Sequence, residues 1–360
     1  MEREDELVAA PPRRTDIVVT LGPASDTRSC IGQLVAAGMD VVRLSMSNGT
    51  RERHRSTVRL VREAAAEQGR AVRFMADLQG RKNRLGRFPG GCAQWSSGDR
   101  VVLTARPGPL APDRTWLGYT WKHGTIPPGT TVLIDDGALT LVVEEAGPEQ
   151  LSCAVVEGGP VTDGRGVSFP GHTFFPAGLC ERDADDLEFA LHLGVDMVAL
   201  SFAESGEDAR RLRELAPDTE LIGKVESRAG VANLSELADA FDGLMVARGD
   251  LAVELPFEDV PFAQHAILAE CARRAKTSMV ATQLLHSMRS SLRPTRAEVA
   301  DVAGAVLDGT CGLVLTGETG YGSHPVDVVR VMRRIVERAE ASRAPAPAVA
   351  GPAGSHVWEA

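Results

Sequence analysis

Apolar residues alternate along this chain between two rhythms. Short runs, IVVT at 17–20, DVVRL at 40–44 and VRFMAD at 72–77, have the length and β-branched content of strands buried on both faces. Between them, IGQLVAA at 31–37 and the segment 52–67 place their apolar residues at helical spacing, the first closing at Gly38. From about residue 87 the rhythm changes. Valine-rich runs (VVLT, VLIDDGALTLVVEE, LSCAVVEGG) separated by Gly/Pro turns predict short antiparallel strands, with no helix of any length before Pro176. An all-β insertion of roughly 80 residues explains this better than one very long loop. The first rhythm then returns. Strands are predicted at MVALS (to Ser201), ELIGKV, GLMVA, MVAT (to Thr282) and GLVLT (to Thr316), with helices at 182–193, 206–215, 231–240, 262–276, 295–307 and 325–340.

The count is eight strands, each followed by a helix, which predicts an α/β fold: a (β/α)8 TIM barrel with a small all-β domain inserted after strand 3. The expected division is a barrel from 15–86 and 168–342 and a β-barrel-like lid at 87–167. The charged, proline-broken segment 1–14 and the Ala/Pro/Gly-rich tail 343–360 are expected to be disordered.

Composition narrows the function classes. The chain has 360 residues, 43% of them hydrophobic, enough for one large barrel and a smaller unit. A net charge of −10 argues against a nucleic-acid or anionic-membrane partner. Six scattered cysteines form no CxxC pair or zinc-like group, and no apolar run has the length of a membrane span. The expected location is the cytoplasm.

Candidate chemistry concentrates between residues 221 and 254. One predicted strand ends at Lys224 and Glu226, the next at Arg248, Gly249 and Asp250, giving the order strand, loop, helix, strand, loop. In parallel α/β architectures chemistry gathers at the C-terminal ends of strands, so one ammonium beside two carboxylates is a catalytic hypothesis. For an isolated trio a simple salt bridge would be the better explanation. Arg43, Ser45, Ser47 and Asn48 follow strand 2, and Asp77 ends strand 3.

These residues sit in longer motifs that occur in one order: TLGPAS at 20–25, GMDVVRLSMSNGT at 38–50, MADLQG at 75–80, GVSFPG at 166–171 and DMVALSF at 196–202. GKVESRAGV, MVARGDL, ATQLLHSM, RPTRAEVADVAGAVLDG and LTGETGYGSHP follow. With them the chain resembles the pyruvate kinase family over about residues 15–340. The chain stops where family members usually continue into a C-terminal regulatory domain, so hyperbolic kinetics without sugar-phosphate activation are expected.

The resemblance implies a cytoplasmic glycolytic kinase that moves a phosphoryl group between phosphoenolpyruvate, or a related enol phosphate, and ADP/ATP. It implies Mg2+ or Mn2+ on Glu226 and Asp250, and Lys224 facing the transferring phosphoryl and the enolate oxygen. Arg43 would bind phosphate, Gly249 would offer a backbone N–H, and Thr282 would lie near the carboxylate and the protonated methylene carbon. Thr316 and Glu318 match a proton relay through water, although capping of the last helix explains them equally well. Thr20, Pro23, Asn48, Arg84 and Arg165 match nucleotide-side positions. A homo-oligomer is compatible with the resemblance.

Departures concentrate in the half that relatives use for nucleotide and monovalent cation. Ser45 and Asn48 stand where relatives carry Asn and His, and Gln79 replaces a lysine, with Arg81 adding a nearby charge. Ser45, Ser47 and Asp77 are the remaining candidate ligands for a monovalent ion. Lys82 occupies the position where, in the family, a tethered ammonium goes with independence from K+, so no K+ requirement is expected. Two other functions compete: a metal-dependent lyase or aldolase acting through a pyruvate enolate in a specialised pathway, and a metabolite-binding pseudoenzyme. The pseudoenzyme ranks last because Lys224, Glu226 and Asp250 are all present.

Overall fold

The computed structural model describes residues 13–80, 82–117, 126–135, 137–172 and 179–342. Eight parallel strands close into a barrel: β1 (Asp16–Thr20), β2 (Val41–Ser45), β3 (Arg73–Leu78), β4 (Met197–Leu200), β5 (Glu220–Val225), β6 (Gly243–Ala247), β7 (Thr277–Ala281) and β8 (Gly312–Leu315). β8 pairs back onto β1, Asp16 opposite Gly312. The strands are almost wholly apolar because both faces are covered. Val18, Val41, Met75, Met197, Ile222, Met245, Met279 and Val314 fill the barrel interior. Their neighbours, among them Ile17, Val19, Val42 and Leu44, pack beneath the surrounding helices. Four of these are methionines, unbranched side chains that adapt to irregular gaps in a core.

The helices lie close to their sequence-predicted positions, with two corrections on the stretch around the candidate site. The helix expected over 231–240 is two pieces, Arg228–Ala232 and Leu234–Ala240. They meet at Asn233, whose Nδ2 donates to the Glu204 carbonyl at 2.8 Å and draws the chain out of helical register. Arg248, Gly249 and Asp250, expected in a loop, instead open the helix Arg248–Glu254. The Gly249 N–H, a first-turn donor without an intrahelical partner, donates to Thr282 Oγ1 at 2.8 Å and so supports the helix start.

Between β3 and the helix Glu181–Leu193 the chain builds a separate seven-stranded sheet, in the order Asn83–Arg84, Gly166–Ser168, Thr131–Ile134, Leu139–Ala146, Gln150–Glu157, Arg100–Thr104, Arg114–Trp116. A two-stranded sheet of Cys92–Trp95 and Gly159–Thr162 accompanies it. All pairings are antiparallel except Arg100–Thr104 with Arg114–Trp116. Trp95, Leu103, Ile134, Leu141 and Phe169 belong to a core of its own. The exit from the barrel turns at Gly80, with φ +61; a Cβ there would lie 2.2 Å from the Ser201 carbonyl oxygen, so only glycine fits.

The segments 1–12 and 343–360, expected to be disordered, and Arg81 lie outside the described residues. Arg13 and Arg14 are described: Arg13 Nη2 donates to the Gly38 carbonyl at 2.9 Å and the Arg14 N–H to Glu340 Oε1 at 3.0 Å. Among the described residues, no helix is long and apolar enough to cross a membrane.

Candidate active site

The C-terminal ends of the barrel strands converge on one buried electrostatic cluster. Lys224, near the end of β5 and 7% exposed, donates from Nζ to Ser201 Oγ at 2.7 Å and to Asp77 Oδ1 at 3.2 Å. Its ammonium lies 2.9 Å from Glu226 Oε1. Arg43, on β2, takes the other side of Asp77: its Nε donates to Oδ2 at 2.6 Å and its Nη1 to Thr20 Oγ1 at 3.0 Å. Both oxygens of Asp77 therefore carry a cation. Burial alone would discourage its ionisation, but the charges of Arg43 and Lys224 outweigh it and hold the carboxyl below its usual range. Burial likewise opposes the Lys224 charge, and Asp77 and Glu226 overcome it, so the ammonium is retained.

The two carboxylates expected to hold metal stand side by side. Glu226 is 1% exposed, and its Oε2 accepts the Phe202 N–H at 2.8 Å. Burial pushes its carboxyl up to about 7, Lys224 works against the rise and Asp250 adds to it. Asp250 is held below its usual range: burial is outweighed by Lys82, whose Nζ lies 2.5 Å from Oδ1, and by Lys224. Adjacent oxygen donors that already attract two ammoniums suit a hard divalent cation. Among the described residues no cluster of three or more His, Cys, Asp or Glu could form an all-protein cage.

Behind these groups, β6 and β7 are tied at their ends. Arg248 donates from Nη2 to the Thr282 carbonyl at 2.8 Å, and its Nη1 pairs with Asp301 at 2.7 Å. Thr282 has φ +74 and Gln283 φ +55, a left-handed pair in which a β-branched residue is strained. After β8, Glu318 is 1% exposed; its Oε2 accepts from the Thr316 N–H at 2.9 Å and from Thr316 Oγ1 at 3.2 Å. Its Oε1 is buried without a hydrogen-bond partner among the described residues. The pair opens the short helix Gly317–Gly320 and not the last helix Pro325–Ser342, and Thr316 makes no side-chain cap bond, so capping of the last helix does not account for it.

A cavity of about 230 Å³ opens above the cluster. Thr20, Pro23, Arg43, Ser45, Ser47, Asn48, Asp77, Lys82, Arg84, Lys224, Asp250 and Thr316 all line it. Glu226, Gly249, Thr282 and Glu318 are not among the residues that line it. Arg165 does not line it: on the inserted sheet, it pairs with Asp135 at 3.0 Å and is half exposed. Several lining residues were not singled out from the sequence, four of them polar and close to the chemistry. Ser201 is the closest partner of Lys224, and Arg53, His54 and Tyr321 line the cavity. Ser201 carries the same strand-end signal as Lys224, whereas nothing local distinguishes Arg53 and His54 from other polar positions of the helix Arg51–Glu67.

Comparison with known proteins adds to the geometry. Residues 12–329 match the family model described as "Pyruvate kinase, barrel domain". A pyruvate kinase of Mycobacterium tuberculosis is 44% identical over 339 residues, covering 93% of this chain and 72% of that protein. A pyruvate kinase of Corynebacterium glutamicum is 45% identical over 332 residues, 91% of this chain and 70% of the relative. Pyruvate kinase 2 of Synechocystis sp. is 39% identical over 366 residues, 97% and 62% of the two chains.

Proposed function

The chain belongs to the pyruvate kinase family, and from that premise we propose that it moves a phosphoryl group between phosphoenolpyruvate and ADP at the mouth of its barrel. The observation that carries this reading is the Lys224 ammonium, buried and held ionised beneath a cavity that Arg43, Lys82 and Arg84 also line. Phosphoryl transfer demands positioning and charge stabilisation more than covalent chemistry, and fixed cations in a buried site supply both.

Each residue has a part. Arg43, braced by Asp77 and Thr20, presents its remaining guanidinium N–H groups to the phosphate. Lys224 faces the bridging oxygen, where charge builds as the enolate leaves. Glu226 and Asp250 would hold Mg2+ or Mn2+, which when bound acts as a Lewis acid toward the substrate's carboxylate and phosphate oxygens. The Gly249 N–H expected to face the substrate is taken up by Thr282 Oγ1, so these two would act on the acid end through the helix that carries Asp250, and Thr316 with Glu318 would pass a proton toward the methylene carbon through water. Thr20, Pro23, Asn48 and Arg84 line the nucleotide half. Arg165 would reach this half only if the inserted sheet moved relative to the barrel.

A requirement for K+ is not expected. Ser45, Ser47 and Asp77 face the cavity, but Arg43 and Lys224 already occupy both oxygens of Asp77, and Lys82 adds a tethered ammonium. The lyase alternative is not favoured, because the cavity keeps the cationic residues Arg53, Lys82 and Arg84 that a polyphosphate chain needs. Purified protein given phosphoenolpyruvate, ADP and Mg2+ should form ATP and pyruvate in equal amounts. Pyruvate release without ATP, or no turnover combined with no ADP binding, would refute the kinase reading.

A further inference from the structure

A second cavity, of about 270 Å³, lies against the back of the metal site. Three short pieces of chain contribute to both sides. Lys82 reaches Asp250 while the next residue, Asn83, lines the second cavity; Ser227, beside Glu226, lines it too. The helix Arg248–Glu254 carries Asp250 near its start and Glu254, which faces the second cavity, at its end. Phe202 links them directly: its N–H holds Glu226 Oε2 at 2.8 Å, its φ is +53, and the residue lines the cavity. An occupant would therefore press on the backbone that positions both metal carboxylates.

The lining indicates what that occupant must bring. Val167, Phe169, Phe202 and Ala229 supply apolar wall. Beside the donor-bearing His172 and Arg228, the polar lining brings three strong acceptor side chains, Asn83, Glu204 and Glu254. Asn83 is 8% exposed, and its Oδ1 is buried with no hydrogen-bond partner among the described residues, which points to a missing donor. Glu204 and Glu254 add two carboxylates, and the Ser227 hydroxyl is already donated to Glu204 Oε1 at 2.7 Å. Burial pushes the Glu254 carboxyl up to about 7 and Glu204 raises it further, while a bond from the Gly171 backbone and the Arg228 charge only partly offset the rise. A cation between the two acids would relieve both effects. Arg228 is exposed and also lines the cavity; its Nη2 donates to the Glu254 carbonyl at 3.2 Å.

We propose that this second cavity is a regulatory site for a small organic ammonium compound, bound through Asn83 Oδ1, Glu204 and Glu254, that alters turnover by displacing the backbone behind Glu226 and Asp250. The compound is a simple amine, or an amino acid whose carboxylate meets Arg228; the shared chemistry is a primary ammonium on a short apolar body. The binding claim is independent of ADP as acceptor, and only its kinetic consequence rests on the kinase reading.

The test uses the full chain without metal or nucleotide, with thermal shift and calorimetry against isobutylamine, L-valine and isovalerate. At least one ammonium probe should bind and isovalerate should not, and valine binding better than isobutylamine assigns the carboxylate to Arg228. Ala229→Leu, which fills the cavity, and Glu254→Gln, which removes a charge, should each abolish binding; should the leucine variant fail to fold, the glutamine variant reads the same contact. In the active enzyme the probe that binds should shift the phosphoenolpyruvate KM about fivefold in the parent chain and in neither variant. Failure of both ammonium probes to bind, equal binding of isovalerate, or effects that survive in both variants would overturn the proposal. Binding without a kinetic shift would overturn its regulatory part.

Discussion

Lys224 shows how a residue's neighbours determine its chemistry. Buried alone, an ammonium would lose its proton, but Asp77 and Glu226 keep it charged. Lys224→Met is expected to lower kcat by at least about 10³-fold by removing a preorganised charge. Divalent-metal affinity, measured by calorimetry, should be largely retained because Glu226 and Asp250 remain. Glu254 illustrates the reverse case. Its carboxyl rises from 4.5 to about 7, burial first among the causes. The folded state thus holds this proton more tightly than the unfolded chain. Its stabilising contribution is full below the unfolded value and is lost as pH rises through the folded one. Glu254→Gln, which imitates the protonated form, should melt at a higher temperature than the parent above pH 7, and thermal scans should show the gap closing toward acid pH. A constant gap across that range would contradict the assignment.

Among the elements, the end of β7 holds backbone strain and is tied to the end of β6. Thr282 and Gln283 keep left-handed conformations while Arg248 grips the Thr282 carbonyl and Asp301 anchors the arginine. Thr282 Oγ1 in turn receives the Gly249 N–H that opens the helix bearing Asp250. Arg248 therefore positions both a hydroxyl and a metal carboxylate without facing the cavity. Arg248→Lys removes the planar fork that spans the carbonyl and Asp301. The expected result is a kcat loss of about 10²-fold with little change in the phosphoenolpyruvate KM. Steady-state kinetics check this, since a general loss of folding would lower the active fraction and leave kcat per active site unchanged.

For the whole molecule, the inserted sheet matters because it brings Lys82 over the barrel mouth. The strand Asn83–Arg84 pairs with Gly166–Ser168 at the re-entry to the barrel, so Lys82 is fixed at the junction of the two units. That placement underlies the expected independence from K+. Turnover measured in sodium or tetramethylammonium salts should change less than about twofold when KCl replaces them at equal ionic strength. Lys82→Glu should restore dependence on the ion, and a steep response of the parent enzyme would refute the idea.

Most of the architecture was legible in the residue pattern, because a parallel strand buried on both faces must be continuously apolar and the intervening helices must show one apolar stripe. Lys224, Glu226, Asp250, Arg43 and Asp77 were legible for the same reason: charged residues closing such runs fall at the barrel mouth. The broken helix at Asn233 and the helical turn at Gly249 were not. They are supported by a bond to the Glu204 carbonyl, 29 residues away, and one to Thr282, 33 residues away. The same holds for Ser201 as the nearest partner of Lys224, and for the clamp of Arg248 on Thr282. The sequence by itself determined which elements form and which chemical groups end them, since both follow from local periodicity and burial. Only the tertiary structure decided which groups meet: that Lys82 rests on Asp250, that both oxygens of Asp77 are taken, and that a second cavity backs onto the metal carboxylates. Contacts between distant segments depend on barrel closure and strand register, which no local pattern encodes.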